Sequence, residues 1–134
     1  MQNSHQAGLR QLISDYMEHG FLDNIIDMFR HDSALYALVG ELIRDERVRV
    51  RIGVTALLEE LKRLDPHKVI LAEENLLPLL GDADAVVRGD AANLLGIIGD
   101  IASLASLEQL LSDENEDVRL IAREALHEIS GRDR

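Results

Sequence analysis

Five histidines, 25 carboxylates and no cysteine bound the chemistry open to this chain. Without a thiol there is no disulfide framework, no thiolate metal site and no sulfur nucleophile. His5, His19, His31, His67 and His127 are scattered, and none falls in the His-Glu-x-x-His spacing that sets two imidazoles on one helix face around zinc. His127-Glu128 is a single pair. The neighbouring carboxylates Glu59-Glu60 and Glu73-Glu74 lack a partner group that would pull their pKa values apart, so they read as a solvated face. Gly89, Gly96 and Gly99 lack the spacing of a phosphate loop. These absences argue against catalysis, and no metal site and no cofactor is expected. The one basic cluster is "RDERVRVRIGV", Arg44 to Val54. Its Arg47-Val48-Arg49-Val50-Arg51-Ile52 core alternates charged and apolar, as a half-buried strand would, and its charge raises the question of a nucleic-acid contact.

The charge around that cluster answers the second point. The chain of 134 residues carries a net charge of −11. Residues 44–68 hold seven basic and five acidic groups, whereas residues 69–134 hold five basic and fourteen acidic. So acidic a chain repels phosphate backbones, and no nucleic-acid partner is expected. No apolar run reaches the length of a membrane span, so no membrane partner is expected. The opening "MQNSHQAGLRQ" has no apolar signal core, and a cytoplasmic location is the expectation.

The elements that position these residues repeat. Leu80, Asp82, Val87, Arg88, Ala91, Leu95 and Ile98 recur 31 residues later as Leu111, Asp113, Val118, Arg119, Ala122, Leu126 and Ile129. The same set lies 37 residues earlier as Ile43, Asp45, Val50, Arg51, Val54, Leu58 and Leu61. Each unit reads as two antiparallel helices, the second carrying apolar residues at i, i+4, i+7, i+8 and i+11, one helix face. The arginine alternation is therefore a turn running into a helix. First helices are expected at Ser33–Arg44, Ala72–Leu80 and Ala102–Leu111. Ala91, Ala92, Ala122 and Ala125 allow close helix approach, Gly96 predicts tight packing, and Gly99 predicts a C-terminal cap.

The pattern of Asp, four residues, Val-Arg and an Ala/Leu-rich helix, clearest in "DADAVVRGDAANLLGIIGD", resembles the HEAT repeat, in the short bacterial and archaeal form named after phycobilisome lyases. The resemblance covers about residues 33–131 and implies an all-α fold, an α-solenoid in which antiparallel helix pairs wind into a right-handed superhelix. It also implies that Asp45, Asp82, Asp113 and Arg51, Arg88, Arg119 form ladders along the stack. Deoxyhypusine hydroxylases, enzymes built of similar repeats, bind two irons through His-Glu pairs after the Val-Arg. Gly89-Asp90 and Leu120-Ile121 stand there instead. Bilin lyases are much longer, with no transferable site. Alkylpurine DNA glycosylases use a basic, aromatic concave face that this acidic chain lacks.

The expected organisation is one continuous domain: an N-terminal helical cap or degenerate repeat over 1–32, then repeats at about 33–65, 66–100 and 101–131. The cap holds Leu9, Leu12, Ile13, Tyr16 and Met17, then Phe21, Leu22, Ile25, Ile26 and Phe29; with Tyr36 these include all four aromatics, which read as core more than binding surface. At the uncapped C-terminal end, Leu107, Leu110, Leu111, Leu120 and Ile121 should lie open. The resemblance puts the second helices on the concave side, so Ala56, Glu60, Asp90, Asn93, Ile97, Glu124 and Glu128 form an acidic ridge suited to a basic or amphipathic protein segment. The alternative is a structural or regulatory subunit acting through its N-terminal aromatic helices or its C-terminal stack end, including as a homodimer; a remoter one is an accessory or maturation factor related to lyase-type HEAT proteins. Arg47 and Arg49, unmatched in the other units, point to an anionic contact with the acidic part of a second copy.

Overall fold

The computed structural model describes residues 2–132, and these contain helices and no strand. They divide into two compact units, Met1–Leu71 and Ala72–Arg134.

In the first unit α1 spans Gln2–Glu18 and α2 Leu22–His31. Gly20 separates them at φ +84, a left-handed turn that glycine takes without steric cost. The turn closes with Gly20 N–H donating to Met17 O and Phe21 N–H to Tyr16 O. A 3-10 segment, Ser33–Leu38, runs into the short α3, Val39–Leu42. Asp32 caps it by accepting from Ala34 N–H at 3.1 Å. The long α4 then covers Val48–Leu64, so the arginine alternation is helical. Val50, Val54, Leu57, Leu58 and Leu61 are fully buried on it. Met17 of α1 lies over Gly53, where a Cβ would collide with its side chain. The unit closes with α5, Pro66–Val69.

The second unit opens with α6, Glu73–Leu76, and the 3-10 segment Leu77–Gly81, then α7, Ala85–Ile98. Next come 3-10 residues Ile101–Ser103, α8 at Leu104–Gln109, 3-10 residues Leu110–Ser112, and α9 at Glu116–Arg132. The second helices are long and continuous; the first ones, expected unbroken, alternate α and 3-10 turns. Proline at the start of Leu77–Gly81 removes one backbone donor, and in segments this short the 3-10 bonds of helix ends take up most of the length.

Helices α7 and α9 pack side by side. A Cβ on Gly96 would lie 3.0 Å from both Cα and Cβ of Ala125, and one on Gly89 would lie 3.2 Å from Ile121 Cδ1. Gly99 is the C-terminal cap of α7, as expected, its N–H donating to Leu95 O at 2.7 Å. Its φ of −72 is not the left-handed cap conformation. A side chain there would sit 2.5 Å from Leu95 O and 2.9 Å from Ser103 Oγ, so space rather than backbone freedom demands glycine.

Two polar clamps hold this unit. Glu73, expected on a solvated face, is buried. Its Oε2 accepts from Asp100 N–H at 3.0 Å and Ser103 Oγ at 2.5 Å, tying α6 to the turn before α8. At the other end Arg132 donates Nη1 to Gly96 O and Nη2 to Gly99 O, both at 2.7 Å. It thus satisfies carbonyls that the end of α7 leaves without helical partners. Arg132→Ala should cost about 2 kcal/mol, the scale of two charge-assisted bonds to half-buried carbonyls. Urea unfolding of the variant beside Arg123→Ala, an exposed arginine on the same helix, measures it.

Candidate functional site

The repeated aspartates and arginines build one geometry three times. Asp45, Asp82 and Asp113 each accept, through the side chain, the N–H two residues on: Arg47, Asp84 and Asn115, all at 2.9 Å. Asp84 and Asn115 then cap their helices, accepting from Val86 N–H and from Asp117 and Val118 N–H. The arginine six residues after each aspartate returns Nη1 to that aspartate's carbonyl. Arg51 reaches Asp45 O at 3.3 Å, Arg88 reaches Asp82 O at 2.9 Å and Arg119 reaches Asp113 O at 2.6 Å. The lead-in turn is thereby locked to the first turn of its own helix.

One of these arginines also grips the following repeat. Arg88 Nε and Nη2 donate to Asp113 Oδ2 and Oδ1 at 2.9 and 3.0 Å. Only 10% and 8% of the two side chains are exposed. The fork of Arg88 holds the Asp113 carboxyl below its usual pKa, with the Asn115 N–H adding to the effect.

Arg47 does for the first repeat, from within, what Arg88 does for the third. Its Nε and Nη2 take Asp45 Oδ1 and Oδ2 at 3.0 and 2.9 Å, and Nη1 reaches Asp15 of α1 at 3.0 Å. Asp45 is lowered from the usual 3.8 to about 2, first by the Arg47 side-chain bond. The anionic contact expected of Arg47 with a second copy is thus made inside its own unit, because Asp15 and Asp45 converge there. Arg49 is exposed.

The acidic positions divide between the units. On α4, Ala56 and Glu60 are half-buried, and Glu60 is hydrogen-bonded by Arg63, which lowers its pKa. In the second unit Gly89 and Gly96 turn α7 toward α9, and Val118, Ile121 and Ala125 turn α9 back. One position on from the glycine stripe, Asp90, Asn93 and Ile97 occupy one flank of α7, and helical period puts Glu124 and Glu128 on the same flank of α9. Asn93, Glu124 and Glu128 are exposed, Asp90 and Ile97 half-buried.

The ends differ from expectation. Leu107 and Leu110 are core, at 0% and 7% exposure, because α8 and α9 close over them; Leu111 and Leu120 stay open at 39% and 46%. Among the cap aromatics, Phe29 and Tyr36 meet edge to face at 5.2 Å and are buried, and burial pushes the Tyr36 phenol up to about 12. Tyr16 and Phe21 also meet edge to face, at 5.6 Å, but Phe21 is 51% exposed, since it precedes α2 rather than lying within it.

Sequence reasoning missed Glu73 and Arg132. Both lie on apolar stripes that were readable: Val69, Ala72, Glu73, Leu76 and Leu80, and Val118, Ala122, Ala125, Ile129 and Arg132. Among the described residues no group of three or more His, Asp or Glu side chains could hold a metal. No described helix is long and apolar enough to cross a membrane.

Helix pairs joined by locked aspartate turns define an all-α solenoid fold. A family model described as HEAT repeats matches residues 37–127, and the chain belongs to the HEAT-repeat family. HEAT repeats commonly mediate protein–protein interaction and are generally non-catalytic. No curated protein and no solved structure matches the chain.

Proposed function

We propose that this protein is a non-enzymatic interaction module or small adaptor that docks a basic or amphipathic segment of another protein on the carboxylates of its second helices. The observation that carries this reading is the shared flank of α7 and α9, where Glu124 and Glu128 are exposed beside Asn93 and the half-buried Asp90 and Ile97. An apolar spot between carboxylates suits a helix that presents one aliphatic side chain with lysines or arginines a turn away. Ala56 and Glu60 contribute less in this reading, since Arg63 offsets Glu60. The aspartate and arginine ladders are structural in it, residues 1–32 cap three repeats at 33–65, 66–100 and 101–131, and the repeats are of the phycobilisome-lyase type, as "DADAVVRGDAANLLGIIGD" suggests.

Making this flank basic tests it. Asn93→Lys, Glu124→Lys and Glu128→Lys together leave the buried contacts intact and should abolish capture of partners from the native lysate. Retention of every partner by the folded triple variant rules the ridge out. Steering by charge also makes association weaken with added salt.

A further inference from the structure

A second surface, separate from the ridge, lies on the exposed side of α9. Repeat equivalence defines it. On α7 the stripe Gly89, Ala92, Gly96 faces α9, and the equivalent stripe on α9 is Leu120, Arg123, His127. All three are exposed. Arg119, equivalent to Arg88, has its Nη1 fixed on Asp113 O as Arg88 has on Asp82 O. Among the described residues that is the only hydrogen bond of the Arg119 guanidinium, whereas Arg88 spends Nε and Nη2 on a carboxylate. Leu111, equivalent to the buried Leu80, is exposed. The end of an otherwise acidic unit therefore presents Arg119, Arg123 and His127 around Leu111 and Leu120.

We propose that this end is a docking site for an aspartate-bearing, helix-starting turn on another protein, gripped by Arg119 as Asp113 is gripped by Arg88. Three observations choose that occupant. The interface is a continuation of one already built, and its existing ligand is a carboxylate held at 2.9 and 3.0 Å. The guanidinium groups of Arg119 and Arg123 complement an acidic segment. Arg123 and His127 in place of Ala92 and Gly96 bar the close approach that α9 makes to α7, so the partner's helix stands off and offers carboxylates to them. A second copy does not fit: its Asp45 is held by Arg47, its Asp113 by Arg88, and its Asp82 is also partnered.

The probe is the ligand turn the fold already uses. A peptide copying Leu110 to Glu124 is joined to the C-terminus of the full chain through a flexible Gly/Ser linker, which raises its local concentration to about the millimolar range. Amide shifts at Leu111, Arg119 and Leu120, followed by NMR, read docking. The expected result is perturbation by the fused peptide that falls about tenfold in population when its aspartate equivalent to Asp113 is replaced by asparagine, the scale of one charged pair. Leu120→Ser with Arg123→Glu in the host, both exposed and outside the core, should remove it. No perturbation, or equal perturbation by the asparagine peptide, overturns the proposal. Neither outcome touches the ridge, whose carboxylates are unchanged in every form.

Discussion

Gly96→Leu should unfold the second unit in conditions where the parent chain is folded. The position faces Ala125, whose Cα and Cβ lie 3.0 Å from where a Cβ on residue 96 would stand. Backbone cannot rotate away as a side-chain tip can. A larger residue must therefore push α9 off α7 along Ala91, Ala92, Leu95, Val118, Ala122 and Ile129, which are buried. Forced overpacking costs about 1–3 kcal/mol for a few methylenes and more against backbone. With four added carbons the loss should reach about 4 kcal/mol, a large share of the roughly 5–15 kcal/mol that holds a domain together. Gly96→Ala separates the two forces at work. Helix propensity favours alanine by about 1 kcal/mol, while the 3.0 Å approach opposes it. The steric term should win, giving a net loss of about 1 kcal/mol. Gly131→Ala is the matched control: it sits in α9 with nothing within 4 Å of an added Cβ, so propensity alone acts and stability should rise. Urea midpoints of the three variants check the argument. A stabilised Gly96→Ala would show that the helix contact relaxes and that the glycine is dispensable.

The repeat made the fold readable because three imperfect copies constrain one another. Val50 alone lies in an alternating stretch that suggests a strand. Aligned with Val87 and Val118 it must be the first buried position of a helix, and it is fully buried on α4. Gly96 was legible for a similar reason, since a glycine inside an otherwise good helix has a cost that only close packing offsets. Gly99 was legible as a necessary glycine but not for its cause. Sequence shows that a side chain is missing, not whether φ or a neighbour's oxygen excludes it. The first helices were placed correctly but read as unbroken, whereas they alternate α and 3-10 turns. Their apolar spacing does not distinguish α from 3-10 turns in segments this short, and hydrogen-bond geometry decides it.

The polar half of the structure was less legible. Glu73 looked solvated because it has an adjacent glutamate, yet it falls on the stripe of Val69, Ala72 and Leu76 and finds the Asp100 N–H and Ser103, 27 and 30 residues further on. A carboxylate on an apolar stripe is the sign of a buried acceptor, but its donors are distant in sequence. Arg47 looked spare because no other unit has an arginine there. Its partner Asp15 lies in a helix outside the repeat, so alignment of the repeats could not supply it. The second-helix carboxylates were predictable as a flank once the helices were phased. Under the proposed function the occupant is a second molecule, and the charge of these carboxylates favours a basic or amphipathic one.

Breaking the grip of Arg88 on Asp113 should be the most damaging polar change in the second unit. Asp113→Ala removes a nearly buried bidentate acceptor, leaves the Arg88 fork unsatisfied and frees the Asn115 N–H that starts α9. Losing one member of such a pair typically costs more than the pair contributes, because the other charge stays desolvated. With both side chains about a tenth exposed, water relieves part of that penalty, and a loss of about 3 kcal/mol is expected. Asp113→Asn is gentler: the side-chain oxygen can still take the Asn115 N–H while the charge is gone. Adding Arg88→Met to Asp113→Ala should restore part of the loss, so the double variant is more stable than the sum of the singles predicts. Strict additivity would mean the two side chains do not act on each other. Acid gives the same answer without mutation. Asp113 and Asp45 both titrate below the usual carboxylate value when folded, Asp45 at about 2. Their contribution is therefore fully present above the unfolded pKa and is lost as pH falls through the folded one. Stability should drop between about pH 4 and pH 2. Arg47→Ala and Arg88→Ala should each flatten that drop, since an aspartate without its fork titrates near its ordinary value in both states. A drop of unchanged size in both variants would assign the acid sensitivity to other carboxylates.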